Sequence, residues 1–149
     1  MAYVDMVRSH VERLLQDEFE LCRVRRDADG DYPLRHGSAV YFLRVMDADP
    51  VVVSVFSAAV TGVKRSAKLL EEINSVNSRA VFGRAYWQHG TVFVEHTLLA
   101  TSLDRETLGR ACSAVGSVAD DIGPMIALVY GGVTAFPASE REEAVGTES

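Results

Sequence analysis

The sequence predicts an α+β domain: an antiparallel five-stranded sheet with three helices, in the order α-β-β-β-α-β-β-α. Apolar residues recur at helical spacing in three separate stretches, near 3–17, 64–77 and from 105 onward. Between the first two lie three β-rich runs joined by short turns, and between the last two lie another pair. Most successive strands have no helical stretch between them, which excludes a doubly wound α/β sheet.

The first helix is expected over 3–17. Val4, Val7, Val11, Leu14 and Leu15 fall on one stripe, and Asp5, Arg8, Glu12 and Arg13 lie largely elsewhere on the wheel. A buried Val or Leu contributes about 1.5–3 kcal/mol, so this stripe is built to pack against something. Glu20 to Arg26 reads as a short β-rich piece, and Asp27-Ala28-Asp29-Gly30-Asp31 supplies a turn. Tyr32 to Arg35 is extended, Gly37 breaks or bulges, and Ser38 to Met46 continues as a strand. After the turn Asp47-Ala48-Asp49-Pro50, Val51 to Ala59 is rich in β-branched residues. These three strands read as an antiparallel meander.

A second helix fits 64–77, with Ala67, Leu70, Ile73 and Val76 or Asn77 on its stripe. Strands Ala80 to Trp87 and Thr91 to Leu99 follow, and Gln88-His89-Gly90 predicts a three-residue hairpin loop with a bulge. Asp104 is a good N-cap for the third helix, with Leu103 and Leu108 placed as a hydrophobic staple. Its core face runs Leu108, Ala111, Cys112, Val115, Val118, Ala119 and Ile122. Gly123-Pro124 is expected to kink or restart it, and Gly131-Gly132 to end it in the αL conformation. The domain is expected to close at 132, with 133–149 a disordered acidic tail.

The chain has 149 residues, 48% apolar and 24% charged, with a formal net charge of −6. That length predicts one domain, burying roughly 68–70% of its unfolded surface. The acidic balance argues against a nucleic-acid partner held by phosphate neutralisation. Four glutamates against Arg141 put −3 of that charge in the tail, so the folded part is nearer neutral. No run approaches 18–20 consecutive apolar residues, so no membrane partner is expected. The N-terminus shows no basic segment leading into an apolar one, and a cytoplasmic location is expected. Cys22 and Cys112 have no metal or redox spacing and read as buried free thiols.

Sequence motifs for catalysis are lacking. There is no G-x-S-x-G, no G-x-G-x-x-G and no G-x-x-x-x-G-K-[ST]. Asp27, Asp29 and Asp31 invite a calcium reading, but an EF-hand loop needs Gly sixth and Glu twelfth, and counting from Asp27 Gly30 is fourth and Ser38 twelfth. Of His10, His36, His89 and His96, only His96 has an adjacent carboxylate, Glu95, and in a strand the two point to opposite faces. No metal or cofactor is expected. Asn74 and Asn77 suit the end of the second helix; an alternative role is amide pairing with an extended peptide or partner backbone.

Asp29-Gly30-Asp31-Tyr32, the segment Gly37 to Val45, and Leu69 to Asn77 followed by Phe82-Gly83-Arg84 resemble the YbjN-like family. That family is related in fold to the type III secretion chaperones of the CesT kind. The likeness covers about residues 4–132. It implies a chaperone-like fold, commonly dimeric, whose sheet and first helix hold extended peptides. In the third strand, Val51, Val53, Val55 and Ser57 alternate with Val52, Ser54, Phe56 and Ala58, so apolar groups stand on both faces. The leading expectation is therefore a non-enzymatic, homodimeric binder of a protein or peptide, with Val4, Val7, Val11, Leu14, Val53 and Phe56 as contact residues. A second is a small-molecule sensor with a pocket between sheet and helices around Arg44, Arg84 and Tyr86.

Overall fold

The computed structural model describes residues 2–20 and 24–137; Cys22 and the segment 138–149 lie outside them. Three helices and five strands appear in the expected order: α1 (Tyr3–Glu18), β1 (Tyr32–His36), β2 (Ala39–Met46), β3 (Val52–Thr61), α2 (Ala67–Arg79), β4 (Arg84–Gln88), β5 (Thr91–Leu99) and α3 (Arg105–Tyr130). The sheet is antiparallel throughout, in the spatial order β1-β2-β3-β5-β4. The first three strands form the meander, and the β4–β5 hairpin returns so that β5 pairs with β3. That leaves β1 and β4 as the edges.

One face of the sheet carries Tyr32, Leu43, Val53, Val55, Val92 and Val94, all buried. The helices pack on this side. Helix α3 crosses β3, β5 and β2, α1 lies against α3 and β2, and α2 against β4. Helix α3 approaches its neighbours closely at Gly109, Gly116 and Gly123, seven residues apart. A Cβ there would meet Glu18 at 2.8 Å, His36 at 2.9 Å and the Ala59 carbonyl oxygen at 2.8 Å, respectively. Helix α3 is long and apolar enough to cross a membrane, but its apolar face is spent on this sheet.

Several details differ from the sequence reading, each for a local reason. Val24 to Arg26 form no strand; Asp27 Oδ1 instead accepts from the N–H groups of Asp29 and Asp31 and ties the turn. Helix α2 starts at Ser66, whose hydroxyl accepts from Leu69 N–H, so Lys64 precedes the helix and the buried stripe is Leu69 and Ile73. Gln88 pairs with Thr91, leaving a two-residue loop with positive φ at both His89 and Gly90, as in a type I′ turn. Asp104 caps α3 in a capping box with Thr107.

Helix α3 then continues unbroken past Pro124. An interior proline costs about 3 kcal/mol, but Ile122 and Ile126 on either side are both buried, and each buried isoleucine contributes about 1.5–3 kcal/mol. Packing wins over the local break. The helix ends at Gly131 with φ 84° and ψ 179°, a region open essentially to glycine, and not αL.

Beyond the expected boundary at 132, Val133 bridges to Thr61, and the Phe136 N–H donates to the Ser38 carbonyl at 3.1 Å. The Phe136 ring lies 3.4 Å from the Arg35 guanidinium carbon. Nearby, buried Asp120 accepts from Ser38 N–H at 2.8 Å and from its hydroxyl at 2.6 Å, pinning the β1–β2 turn to α3. Gly37 in that turn has φ 58° and abuts the same carboxylate, so no side chain fits there.

Candidate functional site

Strand alternation sends every second side chain to the face opposite the helices, and the register sorts these into rows. The first row is Met46, Val52 and Leu99; the next is Arg44, Ser54 and Thr97. Then come Phe42, Phe56, Glu95 and Arg84, followed by Ala58, Phe93 and Tyr86. Met46 and Leu99 are 43% and 50% exposed, a large apolar fraction for one end of a sheet. Phe42 stacks on Phe56 with ring centroids 5.5 Å apart, and Tyr86 on Phe93 at 5.4 Å.

The cations on this face are already engaged. Arg44 grips Asp31 with two bonds, Nε to Oδ1 at 2.9 Å and Nη2 to Oδ2 at 2.7 Å, and its guanidinium lies 4.9 Å from the Phe56 ring centre. Hydrogen bonding to Asp31 raises the Arg44 pKa. Arg84 pairs with Glu95 and covers the Tyr86 ring. The Tyr86 hydroxyl donates to Glu95 at 2.8 Å, and burial together with that carboxylate raises its pKa. What the face offers a ligand is therefore mainly aromatic and aliphatic surface, with neutralised charges between.

Of the residues expected to contact a partner, Phe56 is in this face, half-buried between Phe42 and Arg44. Val53 is completely buried beneath the helices. Val4, Val7, Val11 and Leu14 are likewise in the core, so a ligand would reach them only by lifting α1. Arg44, Arg84 and Tyr86 stand in rows of the outer face, and of the three only Arg84 also borders the space between α2, β4 and α3. The space between α2, β4 and α3 leaves no room for even a water-sized molecule, against the roughly 300–1,000 Å³ of a small-molecule site.

Asn74 is exposed on α2. Asn77 does pair with an extended backbone, and the strand is the chain's own: its amide bonds both the N–H and the C=O of Ala85 on β4. Glu95 turns to Arg84 and Tyr86, whereas His96 turns away from it, edge-on to Phe82 at 5.9 Å. His10 bonds the Leu103 carbonyl at 2.9 Å and holds α1 to the entry of α3. Asp31 is given to Arg44 and Asp27 to the turn backbone. Phe42, Met46 and Leu99 escaped the sequence reading of the site. The alternation of buried Ala39, Tyr41, Leu43 and Val45 with Val40, Phe42, Arg44 and Met46 was the signal that could have found the first two.

Comparison with known proteins agrees with this architecture. A chain of the ExsC–ExsE complex superposes with a TM-score of 0.59 at 17% identity, over 77% of this chain and 92% of that one. The HopA1–SchA chaperone–effector complex gives a TM-score of 0.64 at 9% identity, over 81% and 96%. The Yersinia pestis type III secretion chaperone SycH, in complex with a YscM2 fragment, gives 0.57 at 13%, over 74% and 95%. At these identities the likeness shows the fold. No curated protein matches the chain. Residues 5–138 match the family described as T3SS (YopN, CesT) and YbjN peptide-binding chaperone 1, TY-Chap1, and the chain belongs to that family.

Proposed function

We propose that this protein is a non-enzymatic, cytoplasmic chaperone-like module that holds an extended segment of a client polypeptide on the outer face of its sheet, as a homodimer. The observation that carries the reading is the helix-free face with stacked Phe42 and Phe56 in one row and exposed Met46 and Leu99 in another. Membership of a peptide-binding chaperone family supports it, as does a structural neighbour described as a chaperone–effector complex. Affinity would come from burying that apolar surface, and the neutralised arginines would set which side chains fit beside it. Neither a nucleic acid nor a membrane is part of this reading.

The test is peptide-array binding by the full chain, followed by anisotropy titration of the best peptide against Phe56→Glu and Val53→Ala. A carboxylate placed in the middle of the face should weaken binding by about thirtyfold, the loss of a central anchor worth about 2 kcal/mol. Val53→Ala should lower stability and leave affinity within about twofold, because Val53 faces the helices. A folded Phe56→Glu protein that binds as wild type does would overturn the reading. Native mass spectrometry of the protein from its own host reads the subunit count and any bound client directly.

A further inference from the structure

Strand β4 is an edge, and an edge strand presents unpaired backbone groups to any passing chain. Here the N–H and C=O of Ala85, which point away from β5, are both taken. The Ala85 N–H donates to Asn77 Oδ1 at 2.8 Å, and Asn77 Nδ2 donates to the Ala85 carbonyl at 2.9 Å. A primary amide presents a donor and an acceptor side by side, as a neighbouring strand residue does. The amide is held in place by its helix: Leu69 and Ile73 of α2 are buried, while Val76, Phe82, Val94 and Val118 line the space behind it. Ala85 itself is 3% exposed, so water is a poor substitute partner for its backbone.

The opposite edge is blunted by different means. Strand β1 is five residues long and contains Pro33, which has no N–H to offer. We propose that Asn77 is a strand mimic that closes the β4 edge against pairing with another chain. Resting on the function proposed above, a client is then held by side chains of the sheet face and not by addition of a strand at β4. The exposed Asn77 position thus sets the mode of binding although it touches no ligand.

The experiment compares the full-length wild type with Asn77→Ala by amide exchange at Ala85 and by sedimentation velocity over a wide concentration range. In wild type the Ala85 amide should exchange about tenfold more slowly than in the dilute variant, the effect of one lost hydrogen bond. With rising concentration the variant should form larger species than wild type does, and its Ala85 amide should regain protection within them. Asn77→Asp keeps the acceptor and lacks the donor; it should protect the Ala85 N–H yet still associate, and it replaces the alanine variant if that one fails to fold. A folded variant that sediments as wild type at every concentration overturns the proposal. So does fast exchange of Ala85 in wild type, which needs no variant at all. Neither readout involves a client, so failure of the peptide-binding reading and failure of the edge plug are told apart.

Discussion

Replacing Arg44 by alanine should weaken the fold more than it weakens any ligand contact. The Asp31 side chain is 4% exposed, while the Arg44 side chain is 49% exposed. Truncating the arginine strips two bonds from a carboxylate already removed from water. Breaking a buried pair in this way costs about 3–5 kcal/mol, and the solvent reaching the guanidinium lowers that to about 2–3 kcal/mol. Loss of its stacking over Phe56 adds about 0.5 kcal/mol. For a chain of this length the shift corresponds to a Tm lower by about 5–10 °C.

Urea denaturation of wild type, Arg44→Ala, Asp31→Ala and the double variant measures the coupling directly. The double variant should lose less than the two single variants together, with a coupling of about 1.5–2 kcal/mol. The denaturant slope should stay constant and only the midpoint should move. An Arg44→Ala protein within about 0.5 kcal/mol of wild type would refute the argument, since the carboxylate would then have found water or another partner. So would additivity within about 0.3 kcal/mol, which would place the cost in Arg44 packing alone.

Three further outcomes follow from the packing and titration of α3. Gly123→Ala should destabilise by about 1–2 kcal/mol, because the new Cβ meets the backbone oxygen of Ala59 and overpacking exceeds the gain in helix propensity. Gly109→Ala should instead be neutral or stabilise by about 0.5–1 kcal/mol, as its Cβ meets only the end of the flexible Glu18 side chain; thermal melts of the pair check both signs. Burial pushes the Cys112 thiol from 9.0 up to about 12, so the unfolded chain ionises first as pH rises. The contribution of this group is intact below pH 9 and declines from there towards pH 12, by about 1.4 kcal/mol per unit, and Cys112→Ala should flatten that part of the stability profile.

Much of the architecture is local and therefore legible in the residues. The helical spacing of Val4, Val7, Val11 and Leu14 predicts α1 without reference to anything else, and Asp104 with Leu103 and Leu108 marks the start of α3. The same spacing misleads about function. An apolar stripe shows that a surface will be covered, and for α1 the cover is the chain's own core. Alternation in the third strand separates Val53 from Phe56, but only the position of the helices decides which of the two faces outward.

By itself, then, the sequence determined the element order, the antiparallel class and the family likeness, because these rest on spacing within about ten residues and on turn chemistry. Tertiary structure decided the rest. It seated β5 between β3 and β4 and carried α3 through Pro124. It assembled Phe42, Phe56 and Leu99 from three strands into one face. It also turned Asn77 from a helix-ending residue into the partner of Ala85. Each of these is a choice among distant pairings whose energies depend on what is buried together, and that information is absent from any single stretch of chain.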